Sequence, residues 1–221
     1  KGLVLSFHGM GGNVADAKIA LVPAGALPQT PGHHKLKASA AGHGFACEMP
    51  SLLYLPKDYD KSRELKPLLL FFHGAAESGN DPEKLFANAS GPNAELKSGE
   101  SLRESFPFIV LSPQCIAGRN WETKGSISAA LALLDEIRRQ YRVDRDRIYA
   151  TGADIGGKAV WQAIYDAPET FAAVAAISGM DYEAEWVAHR CRWNRVPAWI
   201  ICGGNDGEFT VVALANEILR Q

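Results

Sequence analysis

The stretch Arg147-Ile148-Tyr149-Ala150-Thr151-Gly152-Ala153-Asp154-Ile155-Gly156-Gly157-Lys158-Ala159-Val160-Trp161 decides the fold. Ile148 to Thr151 is a short apolar, β-branched run and reads as a strand. It halts at Gly-x-Asp-x-Gly, and a helical pattern starts at once. This is the layout of a nucleophile elbow, a sharp strand-to-helix turn that lifts one side chain above a parallel sheet. Glycines two before and two after the raised residue let strand and helix approach where a Cβ would collide. The raised position demands positive φ, which Asp tolerates better than most residues. Here the raised residue is Asp154.

Working outward, strands and helices alternate. Upstream, Pro67 to Phe72 and Phe108 to Leu111 are continuous apolar runs, the pattern of strands buried on both faces. Between the second run and the elbow, Ser126 to Tyr141 carries apolar residues at 127, 131, 134, 137 and 141, one face of a helix. Downstream, the elbow helix extends to about Asp166, and strands are expected over Ala172–Ile177 and Val196–Cys202, with a last helix over Phe209–Arg220. Toward the N-terminus, residues 2–7 read as a strand and Asn13 caps a short helix from Val14 to Val22 that Pro23 stops. A Pro- and Gly-rich linker over 23–34 follows, and Lys35–Ala41 and Ala46–Leu55 are two further strands. The alternation predicts an α/β fold with a doubly wound, mostly parallel sheet. The chain divides into an N-terminal strand, short helix and linker (1–34) and one main domain (35–221).

Composition bounds the function. With 47% hydrophobic and 22% charged residues in a chain of 221, one domain with a sizeable core is expected. A formal net charge of −2 gives no footprint for nucleic acid, and no apolar run approaches the ~20 residues of a membrane span. The four cysteines lack zinc spacing; Cys202 is expected as a buried thiol, and pairing of Cys115 with Cys191 stays open. Gly203-Gly204-Asn205 lacks the phosphate-loop spacing, and Gly9-Met10-Gly11-Gly12 lacks the dinucleotide fingerprint, so neither cofactor nor metal is expected. Trp186 and Trp193 flank the basic stretch His189-Arg190-Cys191-Arg192 and read as half-buried rings under a solvated face, with the mouth of a substrate site as the alternative. The compartment is not legible.

Six features now stand in order: Leu-Tyr-Leu-Pro-Lys-Asp-Tyr-Asp (53–60), Phe-Phe-His-Gly-Ala (71–75), Ser-Pro-Gln-Cys (112–115), Asp-Arg-Asp-Arg-Ile-Tyr (144–149), the elbow with its Gly-Gly and Trp161, and Gly-Gly-Asn-Asp (203–206). Together, over roughly residues 46–221, they resemble the α/β-hydrolase superfamily. The likeness is to its lidless carboxylesterases, in the branch of dienelactone hydrolases, polyhydroxybutyrate depolymerases and feruloyl esterases, some of whose members are labelled peptidases. The resemblance implies an α/β-hydrolase fold without a lid domain. It implies Asp154 at the place of the nucleophilic Ser, Asp206 as the acid, and an oxyanion hole from the backbone N–H groups of Ala75 and Ile155. His73, inside the oxyanion loop, reads as a packed, hydrogen-bonded residue rather than the base.

Two departures govern the functional expectation. No His follows His189, so the family's C-terminal strand and His segment are not seen. A carboxylate that attacks an ester creates a tetrahedral species whose better leaving group is that same carboxylate, so collapse runs backward. The expected protein is a carboxylesterase-type serine hydrolase with impaired catalysis, taking an ester-like small molecule or a protein partner. One alternative is an active hydrolase, either on esters or by an Asp nucleophile as in dehalogenases, with the His supplied by another segment. One such source is a permuted arrangement in which residues 2–7 fill the last strand slot and His8 approaches Asp206. The other alternative is a non-catalytic binding or assembly protein, in which Asp154 is a helix N-cap and Asp206 a turn residue.

Overall fold

The computed structural model describes residues 3–4, 18–21, 27–42, 45–87, 91–123, 125–179 and 195–206. Among these residues nine strands form one sheet: β1 (Leu3–Val4), β2 (Lys18–Leu21), β3 (Gly32–Gly42), β4 (Phe45–Leu55), β5 (Lys66–Phe72), β6 (Ile109–Pro113), β7 (Val143–Ala153), β8 (Ala173–Ile177) and β9 (Ala198–Ile201). Their spatial order is β1-β2-β3-β4-β6-β5-β7-β8-β9. The first four strands and β6 pair antiparallel in succession, whereas β6-β5-β7-β8-β9 are parallel. Among the described residues four α-helices accompany them: α1 (Pro92–Ser98), α2 (Glu100–Ser105), α3 (Ser126–Gln140) and α4 (Ile155–Asp166). The architecture is α/β, with α3 and α4 packed on one face of the parallel strands and α1 against part of the other.

The period-2 alternation of β5 explains the two layers. Leu68, Leu70 and Phe72 point to one face, where they join Leu111, Ile148, Ala150 and Val174 under Leu133, Leu134 and Ile137 of α3 and Val160, Trp161 and Ile164 of α4. Phe71 points the other way, into a smaller cluster with Tyr54, Val110 and Leu96 of α1. The five apolar positions read as the buried face of α3 are all buried. Beyond the reach of α1 and α2, that second face over β7, β8 and β9 carries an apolar groove of about 360 Å³. Tyr149, Thr151, Ala175 and Trp199 line it, and Trp199 is 69% exposed.

Three expectations need correction. The helix expected over Val14–Val22 is not formed at Lys18–Leu21, which pairs antiparallel with Ala38–Ala41 of β3; strand pairing outweighs the weak local helical signal. The permuted arrangement fails because Leu3–Val4 lies at the β1 edge, opposite the β9 edge it would have to complete. Cys202 is half-buried rather than buried, since β9 is the outermost described strand on its side. His8, His189, Cys191, the two tryptophans 186 and 193, and the helix expected at 209–220 lie outside the described residues.

Candidate active site

Ligand sites of open parallel sheets lie beyond the carboxyl ends of the strands, where chain direction and helix N-termini converge. At that edge four loops meet: Ala75 follows β5, Asp154 follows β7, Ser178 follows β8 and Asp206 follows β9.

Asp154 sits at φ 58°, ψ −127°, between the end of β7 and the first residue of α4. For a residue with a Cβ this region is strained, and the neighbouring glycines show why the backbone has no alternative. A Cβ on Gly156 would lie 2.2 Å from the Phe72 carbonyl oxygen, and one on Gly152 would lie 2.4 Å from that of Gly156. The second layer is equally tight: a Cβ on Gly157 would meet the Ser178 carbonyl oxygen at 2.1 Å. Gly179, itself at φ 73°, passes so close to the Asp154 carbonyl that a Cβ would fall 1.9 Å from it. Strand, helix and the turn after β8 therefore touch through main chain alone, and the side chain at 154 projects outward, exposed.

Its carboxylate does not cap α4, because no N-terminal amide of the helix donates to it. The N-cap reading of Asp154 is corrected accordingly. Instead Oδ2 accepts the Ala75 N–H at 3.2 Å. The structure thus brings Asp154 and Ala75 together across 79 residues of sequence. Ile155 stands at the first helical position beside them.

The loop that presents Ala75 is pinned from several directions. His73 is fully buried; its Nδ1 bonds to the Gly74 carbonyl oxygen at 2.6 Å and its Nε2 accepts the Cys115 N–H at 3.0 Å. That pairing requires Nδ1–H and a bare Nε2, so the ring is neutral, and burial pulls its pKa down to about 4. Both nitrogens are committed, so His73 is a scaffold residue. Trp121 packs on it with ring centroids 4.8 Å apart and donates its indole N–H to the His73 carbonyl at 2.9 Å. Glu77, 2% exposed, accepts the Gly74 N–H at 2.7 Å, and the buried Gln114 donates its amide to the Glu77 carbonyl at 2.8 Å.

Asp206 is half-buried and ends a tight turn, its N–H donating to the Gly203 carbonyl at 2.9 Å. Its Oδ2 accepts the Ser178 hydroxyl at 2.7 Å. Ser178 adopts φ 53°, a second strained position at this edge, and its N–H donates to the Ile201 carbonyl at 2.7 Å. Ser178 and Glu77 are the contributors that sequence reasoning missed. Glu77 had a signal in the Gly-x-x-Glu spacing of a capping box, whereas Ser178 had none. Of the described histidines, His33 and His34 belong to β3, with five strands between it and β9, and His73 is committed within its loop. Among the described residues no group of His, Cys, Asp and Glu is arranged to hold a metal ion. Nor is any described helix long and apolar enough to cross a membrane.

Comparison with known proteins gives this geometry its context. No family model matches the chain. A bifunctional acetylxylan esterase/xylanase of Neocallimastix patriciarum is 27% identical over 143 residues, 63% of this chain and 19% of that protein. A protein of Nocardia uniformis subsp. tsuyamanensis named "Putative esterase NocK" is 30% identical over 119 residues, 52% of this chain and 33% of that protein. The chain thus spans about a fifth and a third of the length of these two curated relatives. Among solved structures, a thermostable esterase superposes with TM-score 0.65 at 26% identity, over 84% of this chain and 51% of that one. A Staphylococcus aureus S-formylglutathione hydrolase matches with TM-score 0.59 at 13% identity, over 89% of this chain and 87% of that one. A feruloyl esterase module from Clostridium thermocellum, solved with sinapinate, matches with TM-score 0.60 at 14% identity, over 91% and 78%. Two esterase-named relatives in sequence and hydrolase structures superposing over most of this chain support one conclusion: the chain has an esterase-like α/β-hydrolase fold.

Proposed function

We propose that this chain is a carboxylesterase-type serine-hydrolase scaffold on which ester hydrolysis is blocked at the nucleophile position, and that its site edge takes an ester-like small molecule. In this reading the turn at Asp154 is a nucleophile elbow, and Ala75 and Ile155 supply the oxyanion-hole amides. The observation that carries it is the 3.2 Å hydrogen bond from the Ala75 N–H to Asp154 Oδ2. A hydroxyl at 154 would leave that amide for the oxygen of a tetrahedral intermediate. The longer carboxylate reaches it instead, so one side chain removes the nucleophile and occupies a donor. Loss of a single such donor costs about 10²–10³ in kcat, and the carboxylate's negative charge opposes a second anion at the same spot. Asp206 is the remaining acid, restrained by Ser178.

The test is hydrolysis of p-nitrophenyl esters by the natural chain and by Asp154→Ser and Asp154→Ala. The natural chain and Asp154→Ala should both remain at the rate of buffer. Asp154→Ser should gain turnover if an imidazole reaches Asp206, and should bind a boronate or fluorophosphonate ester analogue that the natural chain refuses. Turnover by the natural chain that Asp154→Ala abolishes would refute the reading and make the carboxylate a working nucleophile.

A further inference from the structure

We propose that Glu77 is a positioning residue: its buried carboxylate fastens the Gly74 N–H and so turns the next amide, that of Ala75, out toward the site. The proposal rests on the reading of the Ala75 amide as the ligand-facing donor. An amide accounting of the loop supports it. The Gly74 N–H goes to Glu77 Oε2 at 2.7 Å, and the Glu77 N–H goes to the Gly74 carbonyl at 3.4 Å. The Gly74 carbonyl is also held by His73 Nδ1, and the Glu77 carbonyl by Gln114 Nε2. Groups on both sides of Ala75 are therefore spent inward, while its own N–H points across to the residue-154 side chain.

The arrangement is the acid half of a capping box on the 3₁₀ turn Ala75–Glu77: Gly74, with no side chain of its own, is extended (φ −76°, ψ −178°) and receives the Glu77 carboxyl at its N–H. A Cβ on Gly74 would press to 3.3 Å on the Glu77 carboxylate, so the glycine and the acid fit as a pair. In this loop the two successive amides diverge, that of Gly74 to Glu77 and that of Ala75 to the residue-154 side chain, so the first is not offered to a ligand at the front. An acceptor behind the first commits the second to the front. A glutamine, of the same shape, keeps an acceptor oxygen for the first amide. An apolar side chain would release it.

The experiment is NMR on protein labelled with ¹⁵N-glycine and ¹⁵N-alanine, with hydrogen exchange at the two amides. In the natural chain the Gly74 amide should exchange at least about 100-fold more slowly than in an unstructured peptide. Fast exchange there would overturn the proposal without any variant. Glu77→Met should move the Ala75 amide resonance toward its unstructured value and free it for exchange, and Glu77→Gln should largely restore both. An Ala75 resonance unmoved by Glu77→Met in a folded protein would refute the role of Glu77. Asp154→Ala separates the two claims: it must shift the Ala75 resonance while leaving Gly74 protected. Failure of that shift would sink the reading of Asp154 at the amide and not the role of Glu77.

Discussion

His73 makes the loop below Ala75 sensitive to acid, and the size of the effect follows from its surroundings. The ring is neutral, buried, and takes the Cys115 N–H on a bare Nε2, so its pKa in the folded protein falls to about 4 from an ordinary 6.5. In the unfolded chain the same imidazole protonates near 6.5. Between these values the unfolded state binds more protons, so stability is complete above about pH 6.5 and declines as the pH falls toward about 4. Below that no further loss accrues from this group. At pH 5 the unfolded imidazole is almost wholly charged and the folded one almost wholly neutral, a penalty of about 2 kcal/mol relative to pH 7.5. The assay is urea unfolding at pH 7.5 and pH 5, followed by tryptophan fluorescence, for the natural chain and His73→Asn. The substitution deletes the acceptor for the Cys115 N–H and should cost about 1–3 kcal/mol at neutral pH. The part that tests the reasoning is the slope: His73→Asn should lose about 2 kcal/mol less than the natural chain between the two pH values. Equal losses would refute it. His33, wedged against Tyr54 and Phe86 and also pulled down to about 4, chiefly by burial, acts with the same sign. Its partial exposure makes its share smaller.

Other outcomes test the packing of the site. Gly156→Ala should cost at least about 3 kcal/mol or prevent folding, because its Cβ would lie 2.2 Å from a carbonyl oxygen of β5; a melting temperature within a few degrees of the natural one contradicts the close approach. Asp154→Gly should be as stable as the natural chain within about 1 kcal/mol, since relief of strain at φ 58° offsets the lost bond to Ala75, and chemical denaturation would read it. Ser178→Ala should lower stability by about 1 kcal/mol through the bond to Asp206, a loss that Asp206→Asn in the same chain should not double if the two residues act as one unit. Leu134→Ala, with Leu134 fully buried between α3 and the sheet, should cost about 2–5 kcal/mol.

How much of this was legible depends on how local the cause is. The run Pro67–Phe72 announces a strand because a chain buried on both faces has no polar alternation to confuse it, and β5 is buried almost throughout. The turn at Asp154 was legible for the opposite reason: close main-chain approach demands glycines at fixed offsets. Lys18–Leu21 misled because four residues with Ile, Ala and Leu suit either structure, and the partner that decides lies about twenty residues away in β3. Helices α1 and α2, seven and six residues long, are too short for a periodic pattern to announce them. In the site, the meeting of residues 75 and 154 follows from motif order and sheet topology. The capture of the Ala75 amide by Asp154 does not, because it depends on the direction of one side chain from a strained backbone. The bond between Ser178 and Asp206 joins two loops separated by 28 residues, and nothing in either loop announces it.

The four glycines at 152, 156, 157 and 179 have one more implication. Because neighbouring segments meet there through bare main chain, the bend between β7 and α4 is shaped without help from whichever residue stands at its summit. The summit is thereby decoupled from folding: Asp, Ser or Gly can be exchanged there with little consequence for the mould that holds it. On the reading we propose, a replacement at the summit alters the chemistry of this edge while leaving its shape unchanged.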